Sequence, residues 1–530
     1  MQIAGANTGV AREFRDVFEL GGVPPFNEFY NFGIFIWKAL YRGFYAPWHL
    51  IPAPTIANRD AKRQVFRLNI AKAVTAEMAG LVWGEECAIN VSMDGRESTD
   101  EDHDPLGEFV HYVLSCNAFH EKMQENIEQG LALGGSAIKV YMKPDRAADG
   151  SVIPESGHIM LGYAMADQFV PISWDNAKVK ECVFISREAK AGYYYTRLEW
   201  HKWDGLTYCI DNELYRSDMQ KGKAPEESQD ILGIRIPLAT MYPFLDEHTE
   251  IHVKESLFSY WRTPIANNMD DNSPLGISVY GNALETLHAL DICYDSFVRE
   301  FRLGKKRIIV PARAVRTIVD PNTGKMCRYF DANDETYEAL ASDDPNDLKI
   351  TDNSIELRVD EHTAAINAFL SVLCLQLGFS ASTFTFDQHG GLKTATEVVS
   401  ENSKTYKTVK TIQNQIAPSI EHVVRSIVDV AIMYGMTWKG QTIESLAAGG
   451  YHVNVVFDDG VTQDRQTNIN EGVLLVNSGL LSKYTFLTDK KYGQGLTPEE
   501  AEAELERINN EKQSGMKMVD IFSANGGAEY

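Results

Sequence analysis

Few residues of this 530-residue chain have types and spacings that invite chemistry, and most fail on detail. Gly130, Gly134 and Gly135 have the glycine spacing of a phosphate-binding loop, but Ser136 stands where a lysine must meet the phosphates. A tight helix-to-strand turn is therefore expected there. Asp100, Asp102 and Asp104 alternate like the start of a calcium loop, yet Pro105 replaces the glycine and His111 replaces the bidentate glutamate. That stretch reads as a solvated acidic loop. His248 and His252 are four apart, but Thr249-Glu250 lies between them instead of the order H-E-x-x-H, which leaves a surface pair on a strand-like segment. The seven cysteines (Cys87, Cys116, Cys182, Cys209, Cys293, Cys327, Cys374) are scattered and form no CxxC pair, so neither a zinc site nor a disulfide framework is indicated. No catalytic residue, metal or cofactor is expected, and the chain reads as a non-enzyme.

What remains is a concentration of charge. Arg299, Arg302, Lys305, Lys306, Arg307, Arg313 and Arg316 face a single acid, Glu300, within eighteen residues. The whole chain is acidic, with Lys+Arg 50 against Asp+Glu 74 and a net charge of −24. A free-standing DNA-coating protein is normally basic, so generic nucleic-acid binding is disfavoured. Acidity suits a protein past which a duplex must slide, because each retained phosphate contact adds a counterion-release term to affinity. The simpler reading is that the charge only keeps a large protein dispersed.

The elements that must position this collar follow from periodicity. The chain is 44% hydrophobic, enough to bury an ample core in about two to four domains. The N-terminus has no basic region followed by an apolar run, and Phe29 to Leu40, interrupted by Lys38, is too short to span a bilayer. A soluble protein made inside the cell, with no membrane partner, is expected. The first ~270 residues read as an α+β body. Asn58 to Trp83 is a predicted helix with Val65, Leu68, Ala71, Val74 and Met78 on one face, and Phe109 to Leu133 is a second, stopped at Gly134-Gly135. Strand-like segments run from Ala137 to about Leu238.

A turn-rich linker, Asn267 to Gly276, marks a break. After it Leu284, Leu287, Leu290, Tyr294, Phe297 and Phe301 form one apolar stripe. Residues 305–358 read as a compact insert of short strands, with a turn at Asp320 to Gly324 and seven acids between Asp331 and Asp347. His362 to Leu377 is a return helix (Ala365, Ile366, Phe369, Leu370, Leu373, Leu377) closed by Gly378. A glycine-containing loop follows. Thr394 and Glu397 then make a capping box for a helix reaching Tyr434 and Gly435. Pro418 is expected to kink or break that helix, and Lys404, Lys407 and Lys410 share one solvated face. A strand at YHVNVVF and a helix led by Thr497-Pro498-Glu499-Glu500 complete the pattern.

Five segments give the chain a family likeness by their order and number: LNIAKAVTAEMAGLVWGEE, GLALGGSAIKVYM, the run SPLGISVYGNALETLHALDICYDSFVREFRLGKKRIIVP, GLKTATEVVSENSKTYKTVKTIQNQI, and VNSGLLSKYTFL with EEAEAELERINNE. From about Asn58 to Glu511 the chain resembles the portal proteins of tailed bacteriophages, in the version of long-tailed phages of Gram-positive hosts. The resemblance implies an α+β subunit with wing, two-helix stem, small α/β clip, tunnel loop and helical crown, assembling into a ring of twelve. It divides the chain into a wing (1–272), stem helix (273–303), clip (304–359), second stem helix (360–379), tunnel loop (380–393), a long kinked helix and return strand of the wing (394–465), and a crown with C-terminal tail (466–530).

The same resemblance implies a conduit for double-stranded DNA in packaging and ejection. It implies as partners the terminase large subunit, a head-completion or adaptor protein, scaffold and the major capsid protein. The location implied is one vertex of the virion, reached from the host cytoplasm. Lys305, Lys306, Arg307, His389 and Lys393 become DNA-channel candidates, and Arg313, Arg316, Lys325 and Arg328 candidates for terminase or adaptor contacts. Two readings of the belt at Lys305, Lys306 and Arg307 stay open: it steers phosphates, or it pairs with the acids between Asp331 and Asp347 of the same or next subunit. The runner-up for the whole chain is another structural head or tail-connector protein. A terminase-like ATPase is disfavoured by the missing phosphate-loop lysine.

Overall fold

The computed structural model describes residues 17–18, 21–23, 28–54, 58–84, 87–93, 104–146, 152–219, 232–304, 307–309, 316–319, 324, 326–329, 351–353, 356–381, 383–384, 395–457, 472–488, 496–497 and 500–508. Helix α1 (Glu28–Tyr41) turns Trp37 fully into the core, edge-on to Tyr30. A short helix α2 (Ala46–His49) leads into strand β1 (Leu50–Pro52), which pairs antiparallel with β2 (Lys62–Gln64). Helix α3 (Ile70–Val82) follows, burying Ala71, Val74 and Met78. The expected helix from Asn58 is thus only half formed. The chain before Ile70 is committed elsewhere: the Phe66 and Leu68 amides donate to the carboxylates of Asp295 and Asp291, and Asn69 sits in the left-handed region at φ 54°.

Strand β3 (Ala88–Met93) precedes helices α4 (Pro105–Cys116) and α5 (Phe119–Leu133). A single helix was expected over much of this stretch, but Ala118 takes φ 46°. The Asn117 side chain explains the break, donating to the Ile159 carbonyl (2.9 Å) and accepting from the Leu161 amide (2.9 Å). Helix α5 ends as the glycines imply, with Gly134 at φ 98°.

The strand-rich middle, expected from its strand-like segments, is antiparallel throughout, the pairing that short turns between successive strands permit. It comprises β4 (Gly135–Arg146), β5 (Val152–Met165), β6 (Phe169–Asp175), β7 (Lys178–Lys190), β8 (Tyr193–Asp204), β9 (Thr207–Asp218), β10 (Ile234–Ile236), β11 (His248–Ile251) and β12 (Phe258–Arg262). One sheet runs β12-β4-β5, and the other β10-β9-β8-β7-β6 with β11 beside β9. Val170, Val183, Leu198 and Trp200 of the second sheet join Phe18 and Val23 in a small core of their own. The linker at Asn267 to Gly276 is turn-rich but tied down. Asn267 is buried and its side chain donates to the Leu275 carbonyl, while Tyr30 donates to that of Gly276 (2.5 Å).

Helix α6 (Leu284–Leu303) buries Leu287 and Leu290 and packs Cys293 and Phe297 partly buried against the same core, while Ile292 is 50% and Phe301 46% exposed. Among the described residues four short strands follow in two pairs: β13 (Arg307–Ile309) with β16 (Thr351–Asn353), and β14 (Arg316–Val319) with β15 (Met326–Tyr329). Gly324, at φ 64°, lies in the expected turn between β14 and β15. Helix α7 (Val359–Leu377) packs on α6, buries Ile366, Leu370, Leu373 and Leu377, and closes at Gly378 (φ 82°).

Helix α8 (Ala395–Met433) continues through Pro418, so the predicted break does not occur. Proline in a helix interior costs about 3 kcal/mol. Here Ile412, Ile416, Ile420, Val423, Val424 and Ile427 bury the helix on both sides of it, and that packing outweighs the lost hydrogen bond. The hairpin β17 (Thr437–Trp438) to β18 (Gln441–Thr442) leads to helix α9 (Ile443–Ala447), and β19 (Tyr451–Val456) pairs with β3. Near the end come helix α10 (Lys483–Thr488) and helical residues 500–508. The Thr497 cap expected from sequence is a reciprocal box: the Glu500 amide donates to the Thr497 hydroxyl and the Thr497 amide to the Glu500 carboxylate. Thr394, of the other expected box, lies outside the described residues.

Candidate functional site: a helix pair and its basic collar

Helices α6 and α7 carry the distinctive surface. Along α7, Glu361, Ala364, Ala368, Val372 and Leu375 recur at spacings of three and four and are all exposed, Val372 at 45% and Leu375 at 69%. Along α6 the exposed face reads Glu285, Ile292, Ser296 and Arg299. Each helix therefore has two faces, one buried in its own chain and one open. Single exposed apolar residues are ordinary, but the run from Ala364 to Leu375, about three helical turns, is the mark of a contact surface.

The ends of the pair are tied by charge. Glu300, the one acid of the basic segment, meets Arg358 (3.1 Å) just before α7, with His362 at 3.9 Å. Hydrogen bonding from Arg358 holds the Glu300 carboxyl below its ordinary range. Phe297 packs on the His362 ring (5.5 Å between centroids).

The basic collar is distributed along this end. Arg299 and Arg302 lie exposed on α6, with the Arg302 guanidinium over the Phe66 ring at 4.5 Å. Arg307 begins β13, and Arg316 begins β14. In the β14–β15 hairpin Arg316 is opposite Tyr329 and Arg328 opposite Thr317, so the two arginines occupy adjoining register positions. Lys305, Lys306, Arg313, Lys325, His389, Lys393 and the acids between Asp331 and Asp347 lie outside the described residues. The lysines of α8 are exposed as expected, and Lys404 donates to the Leu375 carbonyl of α7 (3.0 Å).

Two carboxylates that sequence reasoning passed over anchor α6 to the body. Asp295 receives both guanidinium arms of Arg63 (2.8 and 2.6 Å) and the Phe66 amide (3.1 Å). Hydrogen bonding from Arg63, opposed by burial, holds Asp295 below its ordinary range. Asp291, one turn earlier, receives the Leu68 amide (2.9 Å) and His49 Nε2 (3.0 Å). The signal available was two acids at a spacing of four inside the helix's packed half.

The residues that mimic catalytic motifs are structural. The Ser136 hydroxyl donates to the Ala164 carbonyl, and a methyl on Gly130 would overlap Trp261, so helix and strand fill the place a phosphate would need. His248 lies exposed on β11, 2.6 Å from Asp211. A buried cluster on β8 looks more like chemistry. Burial alone would raise the Glu199 pKa, but Lys139, His201 and Arg197 overcome it and hold the carboxyl well below its usual range. Lys139 comes from β4, so this cluster joins the two sheets. Among the described residues no group of His, Cys, Asp and Glu is arranged to hold a metal ion. Among them, too, no helix is long and apolar enough to cross a membrane.

Fold and surfaces first define a class: a mixed helix-and-sheet protein whose α6–α7 helix pair is open on one side and is linked in sequence by short strands. The particular family follows from comparison. Residues 37–518 match the family model described as phage portal protein, SPP1 Gp6-like, and the chain belongs to that family. No individually curated protein matches it significantly. The chain is thus a structural protein of a bacteriophage virion, concerned with DNA packaging.

Proposed function

We propose that twelve copies of this chain close into a ring at one capsid vertex, and that α6 and α7 are the stem helices around its DNA channel. The observation that carries this reading is the second, open apolar face on a helix whose first face is already buried. A closed ring needs two different surfaces on each subunit, one meeting the other on the next copy. The α7 seam of Ala364, Ala368, Val372 and Leu375 supplies one, and the open face of α6 around Ile292 the other.

In this reading residues 1–272 and 394–465 are the wing, 273–303 and 360–379 the stem, 304–359 the clip, 380–393 the tunnel loop and 466–530 the crown. The strand pairs β13–β16 and β14–β15 belong to the clip. There Arg313, Arg316, Lys325 and Arg328 meet the terminase large subunit during packaging and the head-completion protein afterwards. Scaffold and the major capsid protein surround the wing as the head assembles. Lys305, Lys306 and Arg307, repeated around the ring, form a belt of positive potential where stem meets clip. His389 and Lys393 lie in the loop that reaches into the bore. End-view electron microscopy of the purified protein tests the reading: rings of subunits around an open channel support it, and isolated monomers under all conditions overturn it.

A further inference from the structure

Beyond Leu290 helix α6 buries its apolar side chains only in part, as at Cys293 and Phe297, yet its flank is not free. A segment that is neither helix nor sheet over residues 65–69 lies along it, and with α2 it makes contacts at four successive levels. Trp48 stacks on His288 with ring centroids 4.6 Å apart and planes at 16°. Asp291 takes the Leu68 amide on one oxygen and His49 on the other. His49 Nδ1 accepts the Tyr45 amide (2.9 Å), so the ring proton stands on Nε2, facing Asp291. Asp295 takes the Phe66 amide and the Arg63 fork. Finally Arg302 covers the Phe66 ring. From His288 to Arg302 these contacts span roughly 21 Å of helix.

We infer that Asp291 and Asp295 are positioning residues, which latch the strap around Arg63 to Leu68 onto α6 and so fix the angle at which the helix pair leaves the body. Both carboxylates are buried, Asp291 at 7% and Asp295 at 5% exposure. Each grips a main-chain amide, so the strap's backbone is held in register and not only its side chains. Carboxylate bonds to amides and guanidinium groups are charge-assisted and short, which suits a joint that must resist lateral force. Removing a partner leaves a buried charge unpaired, so the latch is either closed or open. Its geometry stands on this chain alone. Its consequence, a stem held at constant tilt around a channel, rests on the ring reading.

Hydrogen exchange on the full chain, read at single-amide resolution, tests the latch. In the natural protein the Phe66 and Leu68 amides are expected to exchange slowly although they lie outside any helix or strand. In Asp295→Asn and Arg63→Met, the Phe66 amide and those of α6 beyond Ser296 are expected to exchange roughly ten- to hundredfold faster. Helix α8 and strands β4 to β9 keep their protection, and the double variant is no faster than the faster single one. Coil-like exchange of Phe66 and Leu68 in the natural protein overturns the inference. So does unchanged protection of α6 in the variants, or a loss spread evenly through the body. If Asp295→Asn does not fold, the natural amides and Arg63→Met decide. Absence of rings from the natural protein, with its Phe66 and Leu68 amides protected as expected, counts against the ring reading and leaves the latch standing.

Discussion

Gly134 and Gly276 meet back to back where the sheet-bearing body joins the outlying helices. A methyl group on either would overlap the other's carbonyl oxygen, and Gly134 also stands at φ 98°. The Thr263 amide donates to the Gly134 carbonyl (3.0 Å) and Tyr30 to that of Gly276, so neither backbone can retreat.

Gly134→Ala and Gly276→Ala are therefore each expected to lower unfolding stability by about 2–4 kcal/mol, overpacking adding to left-handed strain at Gly134. Gly192→Ala is the control, because Gly192 shares the positive φ (83°) but has open space around it. Its cost is about 1 kcal/mol. Denaturant unfolding checks the difference, and equal losses at Gly134 and Gly192 contradict the close approach.

Glu255 meets His422 Nδ1 at 2.7 Å, with Lys178 at 3.5 Å. The bond to His422, opposed by burial and helped by Lys178, brings its pKa down to about 2. The folded value lies below the unfolded carboxylate's ~4.3, so the stabilisation is fully present above that pH and fades as pH falls toward 2. Over this acid window Glu255→Gln is expected to lose less stability with falling pH than the natural protein. Unfolding midpoints measured across the window check it, and parallel curves contradict it.

Leu375 is 69% exposed on α7, so Leu375→Glu is expected to leave the folded subunit within about 0.5 kcal/mol of its original stability. The same change puts a charge into the proposed seam and is expected to abolish rings. Circular dichroism melting of the subunit together with light scattering checks both halves. Intact rings contradict the seam, and an unfolded subunit contradicts the exposure.

Neutralising Lys305, Lys306 and Arg307 to glutamine distinguishes the two roles of the belt. If it steers phosphate, rings form normally and DNA packaging or retention falls in an in-vitro packaging assay. If the three cations pair with the acids between Asp331 and Asp347, rings are lost instead.

Much of the fold is legible in the sequence because local rules decide it. The strands announce themselves as strand-like segments bounded by turn residues, α6 and α7 by apolar spacing, and the helical residues 500–508 by their Thr497 cap. The misreadings have distant causes. Asn117 ends α4 for the sake of carbonyl and amide groups on β5, and α3 starts late because its lead-in is held by Asp291 and Asp295 on α6. Pro418 sits inside a helix because packing on both sides of it compensates. The seam on α7 was illegible for another reason. Val372 and Leu375 have the same chemistry as the buried Leu370 and Leu373, and periodicity alone does not say which apolar face meets its own chain and which meets a copy.

The central claim, that copies of this chain close into a channel ring, is tested most directly by native mass measurement combined with end-view class averages. Twelve subunits of 59.4 kDa give about 713 kDa, and the averages are expected to show a closed ring with a central opening. A neighbouring subunit number with the same closed ring still supports the claim. A species of one or two subunits under every condition, with no ring in any class, contradicts it.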